Sequence, residues 1–210
     1  MGYKKLDEYN KKYGEIPKDF YDRFLYLMSD ININKSDITK LKKEIKRALR
    51  VNTESITFIF YFTPQATPRA RYSRFTKAFY VKNVLNYNEV FGKFIKDCED
   101  IDFKITTPCE FKCITYFPVP NNMSKVDKLL AELRLIKHVS KPDWDNLGKT
   151  YSDMIQKHLL IDDALIYKGT TEKYYSIKPR IEITIDFMTD YDSSYNKNKI
   201  KKWSSYKDEQ

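Results

Sequence analysis

Four aspartates carry the strongest chemical signal in this chain: Asp143 and Asp145, two residues apart, and the adjacent pair Asp162 and Asp163. Residues two apart in extended backbone point to one side. Pro142 disfavours helix at Lys141, so residues 137–145 are expected to be extended and to present Asp143 and Asp145 together. Gathering several carboxylates without a counter-ion is unfavourable, because each raises the pKa of the others. A hard divalent cation removes that repulsion, and Mg²⁺ takes oxygen ligands, keeps some of its waters and needs few protein groups. Mn²⁺ can use the same donors. Such a site suits phosphodiester hydrolysis, in which the metal polarises a phosphoryl oxygen and lowers the pKa of a bound water. Lys149 lies one helical turn beyond Asp145 and could meet the charge that develops on a phosphate, with Asp153 spaced to orient its ammonium.

The same residues have plainer readings. Asp145 is placed to cap a helix, Lys149 and Asp153 to form an exposed pair worth a few tenths of a kcal/mol, and Asp162-Asp163 to make a turn. Spacing alone favours these.

The elements that must position the aspartates are legible as periodicities. Ile56, Phe58, Phe60 and Phe62 alternate with Thr57, Ile59, Tyr61 and Thr63 as in a strand, and Cys109, Phe111, Cys113, Thr115 and Phe117 repeat the pattern. Residues 126–136 predict a helix. A helix over 146–160 buries Leu147, Tyr151, Met154, Ile155 and Leu159, and an antiparallel return after it would carry Asp162-Asp163 back toward the sheet. Strands are expected around 165–168 and 180–187, and Tyr87, Val90, Phe91, Phe94, Ile95 and Cys98 recur at helical spacing. Before all of these, residues 1–54 read as a helical extension. One helix starts at Pro17 and runs through Phe20, Phe24, Leu25 and Met28; a second is capped by Ser36 or Asp37, with Ile38, Leu41, Ile45 and Leu49 on one stripe and Lys42, Lys43, Lys46, Arg47 and Arg50 on the other. That basic face reads first as a solvated helix surface. The main fold occupies 55–188, and residues 189–210 form a polar tail. The fold class is α/β of the α+β kind: a small mixed, mainly antiparallel sheet packed by helices.

Composition bounds the partners. A formal net charge of +9 and a pI near 9.2 favour polyanions, with nucleic acid the commonest. Arg69, Arg71, Tyr72, Arg74, Phe75, Lys77 and Tyr80 interleave cations with rings, a mixture suited to phosphate contact and base stacking. Three cysteines without a C-x-x-C pair argue against a disulfide framework, and Cys109 and Cys113 read as core thiols. No apolar run would span a membrane and the N-terminus lacks a signal-peptide pattern, so a cytoplasmic protein is expected. His138 and His158 are the two histidines; His158 reads as packed, and His138 as either packed or near a phosphate or the outer shell of a metal.

The run Lys141-Pro142-Asp143-Trp144-Asp145-Asn146-Leu147-Gly148-Lys149, followed by Asp153, Asp162-Asp163, Lys173 and Pro179-Arg180, resembles the RusA family of Holliday-junction resolvases. Pro68-Arg69-Ala70-Arg71 resembles the family's basic segment after its first strand, and Phe117-Pro118-Val119-Pro120, a following basic helix and His138 also fit. The resemblance covers about residues 55–187. It implies a Mg²⁺-dependent endodeoxyribonuclease that resolves four-way junctions or related branched DNA, with Mn²⁺ able to substitute and no organic cofactor. It implies metal-binding roles for Asp143, Asp145 and Asp163, with Asp162 beside them, and a catalytic role for Lys149. Arg69, Arg71, Arg74, Lys77 and Lys141 are the expected DNA contacts, and Asn146 and Asp153 the supporting residues. The family forms symmetric homodimers, which matches the two equivalent phosphodiesters of a four-way junction. Its members are often phage-borne. Residues 1–54 have no counterpart in the smallest members, Gly148 weakens the helix it sits in, and Trp144 is bulky between the two aspartates. The competing reading from another class is a junction-binding module that no longer cuts.

Overall fold

The computed structural model describes residues 3–18, 21–68, 71–80, 92, 95, 96, 101 and 103–191. The helix expected over 87–98 falls largely outside the described residues, as do Arg69 and nearly all of the tail. Two compact units divide between Asn52 and Thr53.

The first unit contains three helices, α1 (Tyr3–Tyr13), α2 (Tyr21–Asp30) and α3 (Lys35–Ala48). Tyr13 is buried, with its ring 5.4 Å from those of Tyr9 and Phe24. Gly14 turns the chain after α1 with φ +104°, a conformation that glycine adopts without a Cβ clash, and Lys42 Nζ donates to Lys11 O at 2.9 Å. The cap of α3 is Asn34, not Ser36 or Asp37. Asn34 Oδ1 accepts from Asp37 N and Asp37 Oδ2 accepts from Asn34 N, a reciprocal box that satisfies two donors at once. α3 buries no residue fully; its stripe of Ile38, Leu41 and Ile45 is half-buried and Leu49 is exposed.

The second unit is built on a four-stranded sheet in the order β1 (Thr53–Phe60), β6 (Arg180–Met188), β4 (Cys109–Pro118), β5 (Ile166–Ser176). β1 and β4 each run antiparallel to β6, while β5 runs parallel to β4. A parallel neighbour needs a crossover rather than a tight turn, and here the crossover contains α4 (Lys125–Glu132) and α5 (Trp144–His158). The mixed, mainly antiparallel sheet expected from the sequence is therefore present.

Alternation along each strand sends one set of side chains to α5. Phe58 and Phe60 of β1, Cys109, Phe111, Cys113 and Phe117 of β4, and Ile181, Ile183, Ile185 and Phe187 of β6 join Leu147, Tyr151, Met154, Ile155 and Leu159 of α5 in one core. Both cysteines are fully buried, and burial pushes the Cys109 thiol up to about 11 and the Cys113 thiol higher still, as fits inert core thiols. Gly148 has a packing reason: a Cβ there would lie 2.5 Å from Thr171 Oγ1, so its absence lets α5 lie close against β5. A second, two-stranded sheet pairs β2 (Arg71–Ser73) with β3 (Ala78–Tyr80). Among the described residues no helix is long and apolar enough to cross a membrane.

Candidate functional site

The N-terminal turn of α5 is where chemistry-bearing groups meet. Asp143 is the N-cap of this helix and Asp145 lies in its first turn, so capping belongs to Asp143 rather than to Asp145 as the sequence suggested. An aspartate at this position ordinarily turns its carboxylate back onto the first amides of the helix. Asp143 makes no such bond; its carbonyl accepts from Leu147 N at 3.1 Å. Both Asp143 and Asp145 are exposed.

The segment that follows β1, residues 65–68, forms a strap across this turn. Asn146 Nδ2 donates to Thr67 O at 2.8 Å, and Thr67 N donates to Thr150 Oγ1 at 2.8 Å. The buried Tyr151 hydroxyl accepts from Gln65 N at 3.1 Å and donates to Gln65 O at 3.0 Å. Burial raises the pKa of this phenol, keeping it a neutral donor. Between strap and helix lies a pocket of about 410 Å³ lined by Thr67, Pro68, Asp145, Asn146, Lys149 and Asp153. Lys149 Nζ is 3.0 Å from Asp153 Oδ1, the i,i+4 pairing expected, and the lysine side chain is largely exposed. Asn146, Lys149 and Asp153 thus share the pocket with Asp145.

Two residues beyond the strap, the β2–β3 hairpin begins. Its connecting turn carries Arg74, Phe75 and Lys77, all exposed, with Phe75 entirely so and Lys77 at φ +50°. Arg71 opens β2. Lys141 and Trp144, adjacent to the aspartates in sequence, are exposed.

The second acidic pair is elsewhere. Asp162 and Asp163 follow the C-terminal end of α5, where Ile105 N donates to Leu159 O at 2.8 Å and Ile161 N donates to Ile105 O at 3.3 Å. Asp162 Oδ1 accepts from Ala164 N at 2.8 Å and caps a single 3₁₀ turn, Asp163–Leu165; Asp163 is exposed. From Asp145 to His158 the helix rises by roughly 20 Å at 1.5 Å per residue. The strand offers a second ruler: Lys173 of β5 bonds the loop before Asp143, and Ile166, seven positions earlier, begins the strand beside the turn. That separation is also roughly 23 Å. The chain does return to the sheet after α5, as expected, but at its opposite end. The expectation that the four carboxylates converge within one chain is corrected accordingly. Among the described residues no group of three His, Cys, Asp or Glu could hold a metal ion. What does fit a cation is smaller: two exposed carboxylates at a helix N-terminus, one of them not used for capping, a donor set adequate for Mg²⁺ when substrate phosphates supply further ligands.

His138 is buried and packs its ring 4.1 Å from Phe117 and 4.7 Å from Tyr175, so of its two readings the structure places it in packing. Burial, and then the charge of Lys173, holds its pKa below the usual histidine range. Sequence reasoning passed over Thr67 and Thr150, read Tyr151 only as a core residue, and gave Lys173 no role. The signal for Lys173 was its place in the family-like run; none marked the strap.

Two comparisons place this geometry among known proteins. A segment of 83 residues is 34% identical to the uncharacterized protein YqaN of Bacillus subtilis (strain 168), covering 39% of this chain and 58% of that protein. The matched segment therefore spans less than two thirds of that relative. Residues 62–186, more than half of the chain, match the family described as endodeoxyribonuclease RusA. That range takes in the strap, the hairpin, both acidic pairs and all of α5, and the chain belongs to the RusA endodeoxyribonuclease family.

Proposed function

We propose that this protein is a Mg²⁺-dependent endonuclease that nicks four-way junctions or closely related branched DNA, with its reactive centre at the N-terminal turn of α5. The observation that carries this reading is the exposed carboxylate of Asp143, which makes no side-chain cap bond, two residues before Asp145, which lines a pocket together with Lys149. Asp143 and Asp145 would hold the ion, which when bound supplies polarisation of the phosphoryl oxygen and a more acidic water. The positive end of α5 favours a phosphate there. Lys149 offers an ammonium to the charge that builds on the phosphate, and Asp153 holds that ammonium in place. Asn146 fixes the strap and with it the wall of the pocket. Arg71, Arg74 and Lys77 of the hairpin, together with Arg69 and Lys141, would bind backbone phosphates, with the exposed Phe75 available to stack on a base. The nuclease domain in this reading is 55–188.

The distance between the acidic pairs bears on the homodimer. In a two-fold dimer whose α5 helices lie antiparallel, the Asp162-Asp163 end of one chain meets the Asp143-Asp145 end of the other. On this reading Asp163, with Asp162 beside it, completes the metal site across the dimer. One observation favours the rival reading of a silent binding module: among the described residues of a single chain, no three His, Cys, Asp or Glu gather to hold a metal ion.

The test is to incubate labelled four-way, flap and linear duplex DNA with the protein in Mg²⁺ and in EDTA. Paired symmetric nicks on the four-way junction, dependent on Mg²⁺, support the resolvase. Nicks on flaps alone move the substrate to other branched DNA. Tight junction binding with no nick in either Mg²⁺ or Mn²⁺ sinks the enzyme and leaves the module.

A further inference from the structure

We propose that Lys173 is a positioning residue for this centre: from the edge strand β5 it fixes the loop that delivers Asp143. The inference rests on the nuclease reading of Asp143.

Lys173 Nζ donates to Ser140 O at 2.7 Å and to Pro142 O at 2.8 Å. The two carbonyls flank Lys141, so one ammonium ties together both sides of the turn that ends at Asp143. Lys173 is half-buried and pairs across the sheet with Thr115, at the end of the central strand nearest the loop. The same loop is anchored one step earlier. His138 is wedged against Phe117 and Tyr175, and Ser140 Oγ lies 3.3 Å from His138 Nε2. Residues 138, 140 and 142 are thus each held to β4 or β5 or to one another, and Asp143 comes next.

This arrangement explains how Asp143 can keep its carboxylate unengaged. A capping aspartate usually fixes its own orientation by bonding the first amides of its helix. Here that bond is missing, and the backbone must be held from outside. Lys173 supplies the hold with charge-assisted bonds, which are stronger and more directional than neutral ones. A metal ligand must be kept within about half an ångström of its working position, and small misplacements are costly to rate.

The experiment compares the parent with Lys173→Met and Lys173→Arg. Steady-state nicking of a labelled four-way junction gives kcat and KM, Mn²⁺ binding to the DNA-free protein gives a metal affinity, and a thermal melt reports folding. Expected for Lys173→Met is a fall in kcat of about a hundredfold, KM within about twofold, and Mn²⁺ affinity weakened roughly tenfold or more. Lys173→Arg, which keeps cationic donors, should recover most of both losses. Should the Met variant fail to fold, Lys173→Gln, which keeps a neutral donor, takes its place in the comparison. Unchanged kcat and Mn²⁺ affinity overturn the inference. So does a raised KM with kcat intact, which would make Lys173 a DNA contact. If the parent nicks no branched DNA, the nuclease reading has failed instead, and the Mn²⁺ comparison alone decides whether Lys173 holds the acidic turn.

Discussion

The two ends of α5 carry the same chemical group in different settings. At the N-terminal end, Asp143 and Asp145 are exposed, Asp143 makes no side-chain cap bond, and a lysine and an asparagine line the adjoining pocket. At the C-terminal end, Asp162 is consumed by a turn, accepting from Ala164 N, and Asp163 stands exposed beside it. The N-terminal end also presents the positive pole of the helix dipole, which favours phosphate, whereas the other end presents the negative pole. The comparison teaches that an aspartate pair becomes a candidate site through what surrounds it. The pocket described above lies at the first of these pairs, with the exposed Lys141 and Lys149 close by in sequence. In the proposed dimer the other would contribute by reaching the first from a second chain.

Substitutions at the two ends sharpen that contrast. Asp143→Asn should lower Mg²⁺-dependent nicking by well over roughly a hundredfold, more than is typical for a residue that only supports a metal ligand, while junction binding in Ca²⁺ persists; a gel-shift and a nicking assay on one preparation check both. Lys149→Ala is expected to cost about 10²–10³ in kcat, as for loss of one group that stabilises developing charge. Its melting temperature should be nearly that of the parent, since its exposed pair with Asp153 adds little stability. Gly148→Ala acts through packing: the added methyl must displace Thr171 Oγ1, a clash of the kind that costs about 1–3 kcal/mol, against roughly 1 kcal/mol gained in helix propensity, so urea unfolding should show a net loss of about 1 kcal/mol. Little change or a gain there would mean that Thr171 rotates aside and that the close approach does not constrain the helix. The smallest effects belong to the hairpin. Arg74→Ala and Lys77→Ala should each reduce the salt slope of junction binding by about one and weaken binding similarly for every sequence. A sequence-selective loss would instead point to base contact.

Much of the frame was legible in the sequence because it rests on simple periods. Alternation from Ile56 to Phe60 and from Cys109 to Phe117 marks β1 and β4, and the stripe through Leu147, Tyr151, Met154 and Ile155 marks α5. The pocket at the N-terminal turn was legible in part, through the spacing of Asp145, Asn146, Lys149 and Asp153 on one helix. The location of Asp162-Asp163 was not legible. Local patterns do not reveal that β5 runs parallel to β4, and this pairing sends the chain to the far end of the sheet before the strand starts. The strap was hidden for a similar reason: Thr67 meets Thr150, and Gln65 meets Tyr151, across long stretches of chain that no helix or strand period links. Gly148 looked like a weakness because helix propensity is local, whereas its contact with Thr171 is not.

The most direct test mixes two inactive chains. Asp143→Asn and Asp163→Asn proteins are purified separately, unfolded and refolded together, and assayed for Mg²⁺-dependent nicking of a labelled four-way junction. The account predicts that neither alone nicks and that the mixture recovers up to about a quarter of the parent's nicking, because half the reassorted dimers carry one intact site. Substantial nicking by Asp143→Asn alone would contradict the placement of the centre at the start of α5, and a mixed dimer that stays silent would contradict its completion by the second chain.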